Sequence, residues 1–171
     1  MSASAAAAMV AYESSQWHDL FAVGAESAAT LVGLLFVAVS INVRQILDAP
    51  FLPALAARAL GVLLGLLLMS VLVLTPGQSR QALSAELTAL GVVLTATVMI
   101  SAVRAHFPVT KWEWTIPIIL LALASSVPMI VAGVTVLAGA GGGLYWALGE
   151  LILGFSIAIY NAWILLIEIL R

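Results

Sequence analysis

The sequence predicts an all-α integral membrane protein: a polytopic bundle of about five transmembrane helices, with the N-terminus outside and the C-terminus in the cytoplasm. Three observations carry this expectation. Only six Lys+Arg and eight Asp+Glu occur among 171 residues, so 8% of the chain is charged, against about 25% in a soluble domain. Those few charges bound long uncharged runs at 27–43, 59–79, 87–103, 114–149 and 151–167, and about 20 apolar residues cross a bilayer core. The basic residues also fall on alternate sides. With five spans, Arg44, Arg58, Arg104, Lys111 and Arg171 share one side and Arg80 alone takes the other, which makes the first side cytoplasmic by the positive-inside rule.

Residues 1–13 read as a short flexible lead, and 14–171 as one transmembrane domain with spans at about 17–43, 54–75, 83–104, 113–138 and 144–170. The first span opens near Ser14 or Ser15, either of which suits a cap, with Asp19 in the first turn where the helix dipole favours an anion. It ends before Pro50. Pro53 fits the first turn of the second span, and Pro76-Gly77 turns the chain back. The third span closes before His106-Phe107-Pro108. The fourth starts near Trp112 or Trp114, with Pro117 early and Pro128 well inside, behind Ser125-Ser126, as a kink. The run Gly139-Ala140-Gly141-Gly142-Gly143 ends it, and the fifth span follows from Leu144. Trp17, Trp112, Trp114, Tyr145 and Trp146 lie near span ends, as an interfacial aromatic belt requires.

Composition removes whole classes of function. The net charge of −2 offers no basic footprint for nucleic acid. The absence of cysteine excludes disulfides, thiolate metal sites and iron–sulfur clusters. His18 and His106 fall on opposite sides of the membrane in this topology, so they cannot share a metal or haem. No phosphate loop, nucleophile elbow or HExxH pattern occurs, and Ser125-Ser126 has no histidine or lysine nearby to activate it. Neither an enzyme nor a resident cofactor is expected.

What remains informative is the set of polar groups at membrane depth, since lipid satisfies none of them. Glu26, Glu86 and Glu150 each sit in the outer part of an outside-to-inside span. On the first helix Asp19, Glu26, Gly33 and Ser40 recur every seven residues, with Thr30 and Arg44 at four-residue steps. On the fifth, Glu150, Gly154, Asn161 and Glu168 follow one stripe; on the third, Thr97, Ser101 and Arg104 share a face. One reading is an ion pathway: Glu26 and Glu150 as outer acidic sites, Thr30, Ser40, Thr97, Ser101 and Asn161 lining a seam, and Arg44 and Arg104 at the cytoplasmic end. The other is that the same groups are hydrogen-bonded glue between helices. Glu86, close to a helix start, suits a solvated carboxylate. The ladders Ala25-Ala29-Gly33 and Ala57-Gly61-Gly65 allow close helix approach, within the chain or between copies.

Trp17-His18-Asp19-Leu20-Phe21 followed by Gly33-Leu34-Leu35-Phe36-Val37-Ala38-Val39-Ser40-Ile41-Asn42 resembles small bacterial integral membrane proteins. The likeness covers the first helix, about a sixth of the chain. It implies a bacterial inner-membrane location and carries over no functional residue. The polar stripes thus lead to the expectation of a small homo-oligomeric ion channel or transporter in the inner membrane, with cations or protons favoured, although Arg44 and Arg104 at the cytoplasmic end would suit an anion instead. The alternative is a non-conducting structural or assembly subunit of a larger membrane complex.

Overall fold

Hydrocarbon gives a backbone no hydrogen-bond partner but itself, so uncharged runs of this length must become helices. The computed structural model describes residues 10–49, 51–106, 120, 123–124 and 126–169, and among these are six α-helices and no strand. A 3-10 turn, Ser14–Trp17, leads into α1, His18–Ile41. Neither serine caps it: no side-chain cap bond forms at Glu13 or Trp17, and both serines lie inside the 3-10 turn. The 24 residues of α1 are about 36 Å long at 1.5 Å per residue, enough for a core of about 30 Å. Asn42 closes it, its side-chain Nδ2 donating to the Ala38 carbonyl at 2.8 Å. The chain then makes the short helix α2, Val43–Asp48, which holds Arg44 beyond the end of the first span rather than on it.

Helix α3, Leu52–Leu74, begins with Pro53 in its first turn. Gly77, at φ 69°, supplies the left-handed turn that follows. Helix α4, Arg80–His106, starts three residues before the expected boundary because Ser79 caps it, its Oγ accepting from the Ala82 N–H at 3.1 Å. Most of the expected fourth span, including Trp112, Trp114 and Pro117, lies outside the described residues. Its remainder corrects the expectation at Pro128. The chain breaks at Ser126 (φ −154°), and α5, Val127–Ala138, starts anew with Pro128 in its first turn, so the proline initiates a helix instead of kinking one. Gly139 ends α5 in the left-handed conformation at φ 64°. Gly141, Gly142 and Gly143 also have positive φ, and α6, Leu144–Ile169, follows.

Among the described residues, three segments are long and apolar enough to cross a membrane: Ser14–Ile41, Leu52–Leu74 and Leu144–Glu168. The 12-residue α5 is too short for a bilayer core by itself, at about 18 Å. Helix α3 is the centre of the bundle. It packs against α1, α6 and α4, while α5 rests on α4 and α6. One core, near the glycine loop, gathers Phe21, Leu66, Met69, Leu87, Met129 and Leu144; a second, toward the start of α3, gathers Leu35, Ala56, Ala59, Leu63, Ala158 and Leu165. Large apolar side chains also cover the outside, among them Leu34 and Phe36 on α1 and Ile159 and Trp163 on α6, as a lipid-facing surface should. Residues 10–12 of the expected lead form a helical turn. Val10 accepts a hydrogen bond from Trp17 Nε1 at 2.8 Å, and Tyr12 Oη accepts from the Gly142 N–H at 3.3 Å.

Candidate functional site

On α6, the polar stripe meets α3. Glu150 and Asn161 are eleven residues apart, close to three full turns, so both project from one face, about 16 Å apart along the axis. Gly154 lies between them on that face, and a Cβ added there would stand 2.7 Å from Leu66 Cδ2 of α3. Arg58, two turns into α3, donates from Nη2 to Asn161 Oδ1 at 3.1 Å. Running antiparallel in that register, the helices bring Ser70 to the level of Glu150. A contact supports this: Ser70 Oγ and Leu151 Cδ2 both lie just beyond 3 Å from where a Gly24 side chain would begin, at 3.2 and 3.3 Å. The absence of a side chain at Gly24 is what lets α1, α3 and α6 converge here.

The seam contains four buried polar atoms without partners. Glu150 is 1% exposed, and Ser70 and Asn161 are fully buried. Glu150 Oε2, Ser70 Oγ, Arg58 Nε and Asn161 Nδ2 have no hydrogen-bond partner. Buried polar groups are normally paired, and an unpaired one costs about 1–3 kcal/mol. The unpaired atoms also sort by chemistry. Near the glycine loop they are a carboxylate oxygen and a hydroxyl; at the other end they are donors only. Leu66 packed over Gly154 separates the two sets.

The other expected pathway residues stand elsewhere. Glu26, Thr30, Ser40 and Arg44 are exposed. Thr30 Oγ1 donates to the Glu26 carbonyl and Ser40 Oγ to the Phe36 carbonyl, each at 2.8 Å, so both hydroxyls serve their own helix. The buried face of α1 is instead Phe21, Gly24, Ala28 and Leu35. The ladder Ala25-Ala29-Gly33 therefore points away from the bundle, and a Cβ added at Gly33 would meet nothing within 4 Å. Thr97 is exposed, its Oγ1 donating to the Val93 carbonyl. Ser101 and Arg104 lie in the last turns of α4, where side chains are outside the described residues. Glu86 accepts from Gln78 Nε2 at the start of α4. Hydroxyls also join α4 to α5: Ser84 Oγ donates to the Gly133 carbonyl at 2.8 Å, and Thr95 Oγ1 lies 2.8 Å from Ser126 Oγ.

Arg58 and Ser70 are the site residues that sequence reasoning missed. Charge placement treats Arg58 as a topology marker alone, although it lies six residues inside the helix that starts at Leu52. Ser70 is the one polar side chain between residues 59 and 74, a signal available from the sequence. Among the described residues no group of three or more His, Cys, Asp or Glu is placed to hold a metal; His18 Nδ1 and Asp19 Oδ1 form an exposed pair at 3.3 Å. Searches of protein-family models, curated proteins and solved structures each return no match to this chain.

Proposed function

We propose that this protein is a multi-pass inner-membrane transporter that moves protons across the bilayer by way of Glu150. One observation carries the reading: a carboxyl group buried at membrane depth between α6 and α3, with an oxygen that no neighbour satisfies. A carboxylate at the bilayer centre costs about 2.5–3.5 kcal/mol on insertion scales, and such residues usually serve a pathway. A proton suits the site better than a divalent metal ion. Calcium takes six to eight oxygens and magnesium an octahedron of them, whereas Glu150 and Ser70 bring one carboxyl and one hydroxyl. The contact of Leu66 on Gly154 interrupts the seam, which favours stepwise transfer over an open pore. Five spans with the N-terminus outside and the C-terminus cytoplasmic accompany this reading, on the distribution of Lys and Arg.

The test is proton flux into proteoliposomes under an imposed potential. Wild type should acidify the lumen. Glu150→Gln, which keeps the shape and removes the exchangeable acid, should reduce flux at least tenfold, while Glu150→Asp should retain part of it. Equal flux for wild type and Glu150→Gln would refute the assignment. A second reading, a non-conducting assembly subunit, draws on a different observation: the Glu26 carboxyl on the outward face of α1, to which lipid offers no hydrogen-bond partner. Co-purification of a stoichiometric partner, together with absent flux, would favour it. Self-association through the same face is compatible with the transport reading.

A further inference from the structure

We propose that the pocket between the lead into α1 and the start of α4 binds a small zwitterionic solute, one that carries a carboxylate and an ammonium group as an α-amino acid does. Opposite charges meet there without cancelling. Tyr12, Glu13 and Ser14 come from the lead, and Gln78, Arg80 and Leu83 from the turn after α3 and the first turn of α4; together they line an open pocket of about 200 Å³. Glu13 and Arg80 are both exposed, and no ion pair joins them. Neither side chain has a hydrogen bond among the described residues. Glu86, the one carboxylate of α4, accepts from Gln78 Nε2 instead of pairing with Arg80. The walls are held from both sides. Arg80 Nη1 lies 2.9 Å from where a Gly139 side chain would begin, at the C-terminal end of α5, whose dipole favours a cation. The lead is tied down by the bonds from Trp17 to Val10 and from Gly142 to Tyr12.

The two charges set the class of ligand. A simple anion would pair with Arg80 but meet repulsion from Glu13, and a simple cation the reverse, so a solute with one charge of each sign is preferred over both. The guanidinium fork suits a carboxylate, and the Glu13 carboxylate accepts from an ammonium group. Tyr12 Oη, which accepts from the Gly142 N–H, keeps its own proton to donate. Size narrows the choice further. Drug-sized ligands fill about 300–1,000 Å³, so a pocket of about 200 Å³ takes a solute of only a few carbons. A zwitterionic lipid headgroup shares this chemistry, but its acyl chains need an apolar track, and Leu83 is the one aliphatic residue of the lining. The free solute is therefore the better match. Binding here is independent of proton transfer at Glu150.

The experiment is isothermal titration calorimetry of the full-length protein in detergent micelles, with glycine, L-alanine, L-serine and L-valine added singly. At least one of them should bind saturably. For the tightest, its amide (no carboxylate) and the acid without its amino group should each bind about tenfold more weakly, the loss of one charged hydrogen bond. Arg80→Gln and Glu13→Gln should each weaken the parent amino acid by a similar factor. Both side chains are exposed, so each variant should keep wild-type helicity and melting temperature. Absence of saturable binding by all the amino acids, or wild-type affinity in either variant, would overturn the proposal. So would equal binding of the acid without its amino group, since the pocket would then be a plain anion site around Arg80. Tighter binding of dihexanoylphosphatidylethanolamine than of any amino acid would overturn it too, by giving the pocket to a lipid headgroup.

Discussion

Glu26 and Glu150 are the same residue type at comparable distances from the starts of α1 and α6, yet one is exposed and the other is 1% exposed. Sequence spacing shows that each belongs to a stripe. It does not show which way the stripe faces, because polar and small residues suit both an inner seam and an outer contact in lipid. What decides is the partner helix: α6 finds α3 through Gly154 and Leu66, whereas α1 meets α3 through Gly24 and Ala28. The glycines of α6 should accordingly respond differently to substitution. Gly154→Ala places a methyl 2.7 Å from Leu66 Cδ2 and should destabilise the bundle by about 1–3 kcal/mol through overpacking. Gly149→Ala meets nothing within 4 Å and should be neutral, or stabilising by up to about 1 kcal/mol from helix propensity. Unfolding in mixed micelles by SDS titration distinguishes the two.

At the scale of elements, helix ends are the most legible part of the sequence. Pro53, Gly77 and Gly139 act through local backbone geometry, so their effects are readable one residue at a time. Pro128 is ambiguous by the same logic, because a proline behind two serines fits a kink or a start equally well, and only the break at Ser126 settles it as a start. The face of α1 is harder still, and it supports a further prediction. Glu26 stands outside the α3–α6 seam, so Glu26→Gln should leave proton flux unchanged. Glu26→Leu removes the polar contact available to a neighbouring copy and should weaken self-association by about 0.6–2 kcal/mol. Analytical ultracentrifugation in a density-matched detergent measures this directly; association unchanged by Leu would clear α1 of a role in assembly.

At the scale of the whole molecule, three helices among the described residues are long and apolar enough to cross a membrane, and the all-helical class is legible from charge scarcity alone. Span count and orientation depend on the basic residues and have a separate check. A reporter fused after Arg171 should behave as cytoplasmic, with Arg58 labelled from that same side and Arg80 from the opposite one. A periplasmic reporter, or Arg58 and Arg80 labelled from one side, would require a different number of crossings. The polar pair Arg58–Asn161 is not foreseeable as a pair. It joins residues 103 positions apart, and no local pattern encodes which two helices of a bundle become neighbours.

The contact between Tyr12 and Gly142 has a consequence for biogenesis. Its two residues are 130 positions apart, which at about 5–20 residues per second of translation means a wait of roughly 7–26 s. For that interval the first hairpin stands without this clasp. The seam of α6 against α3 is likewise incomplete until the last helix emerges, leaving Arg58 without its amide acceptor. The nascent chain must therefore pass through a half-assembled stage in which its buried cation faces lipid or the insertion machinery. Any factor that accompanies insertion has that window in which to act, and the glycine loop, arriving late, is what closes it.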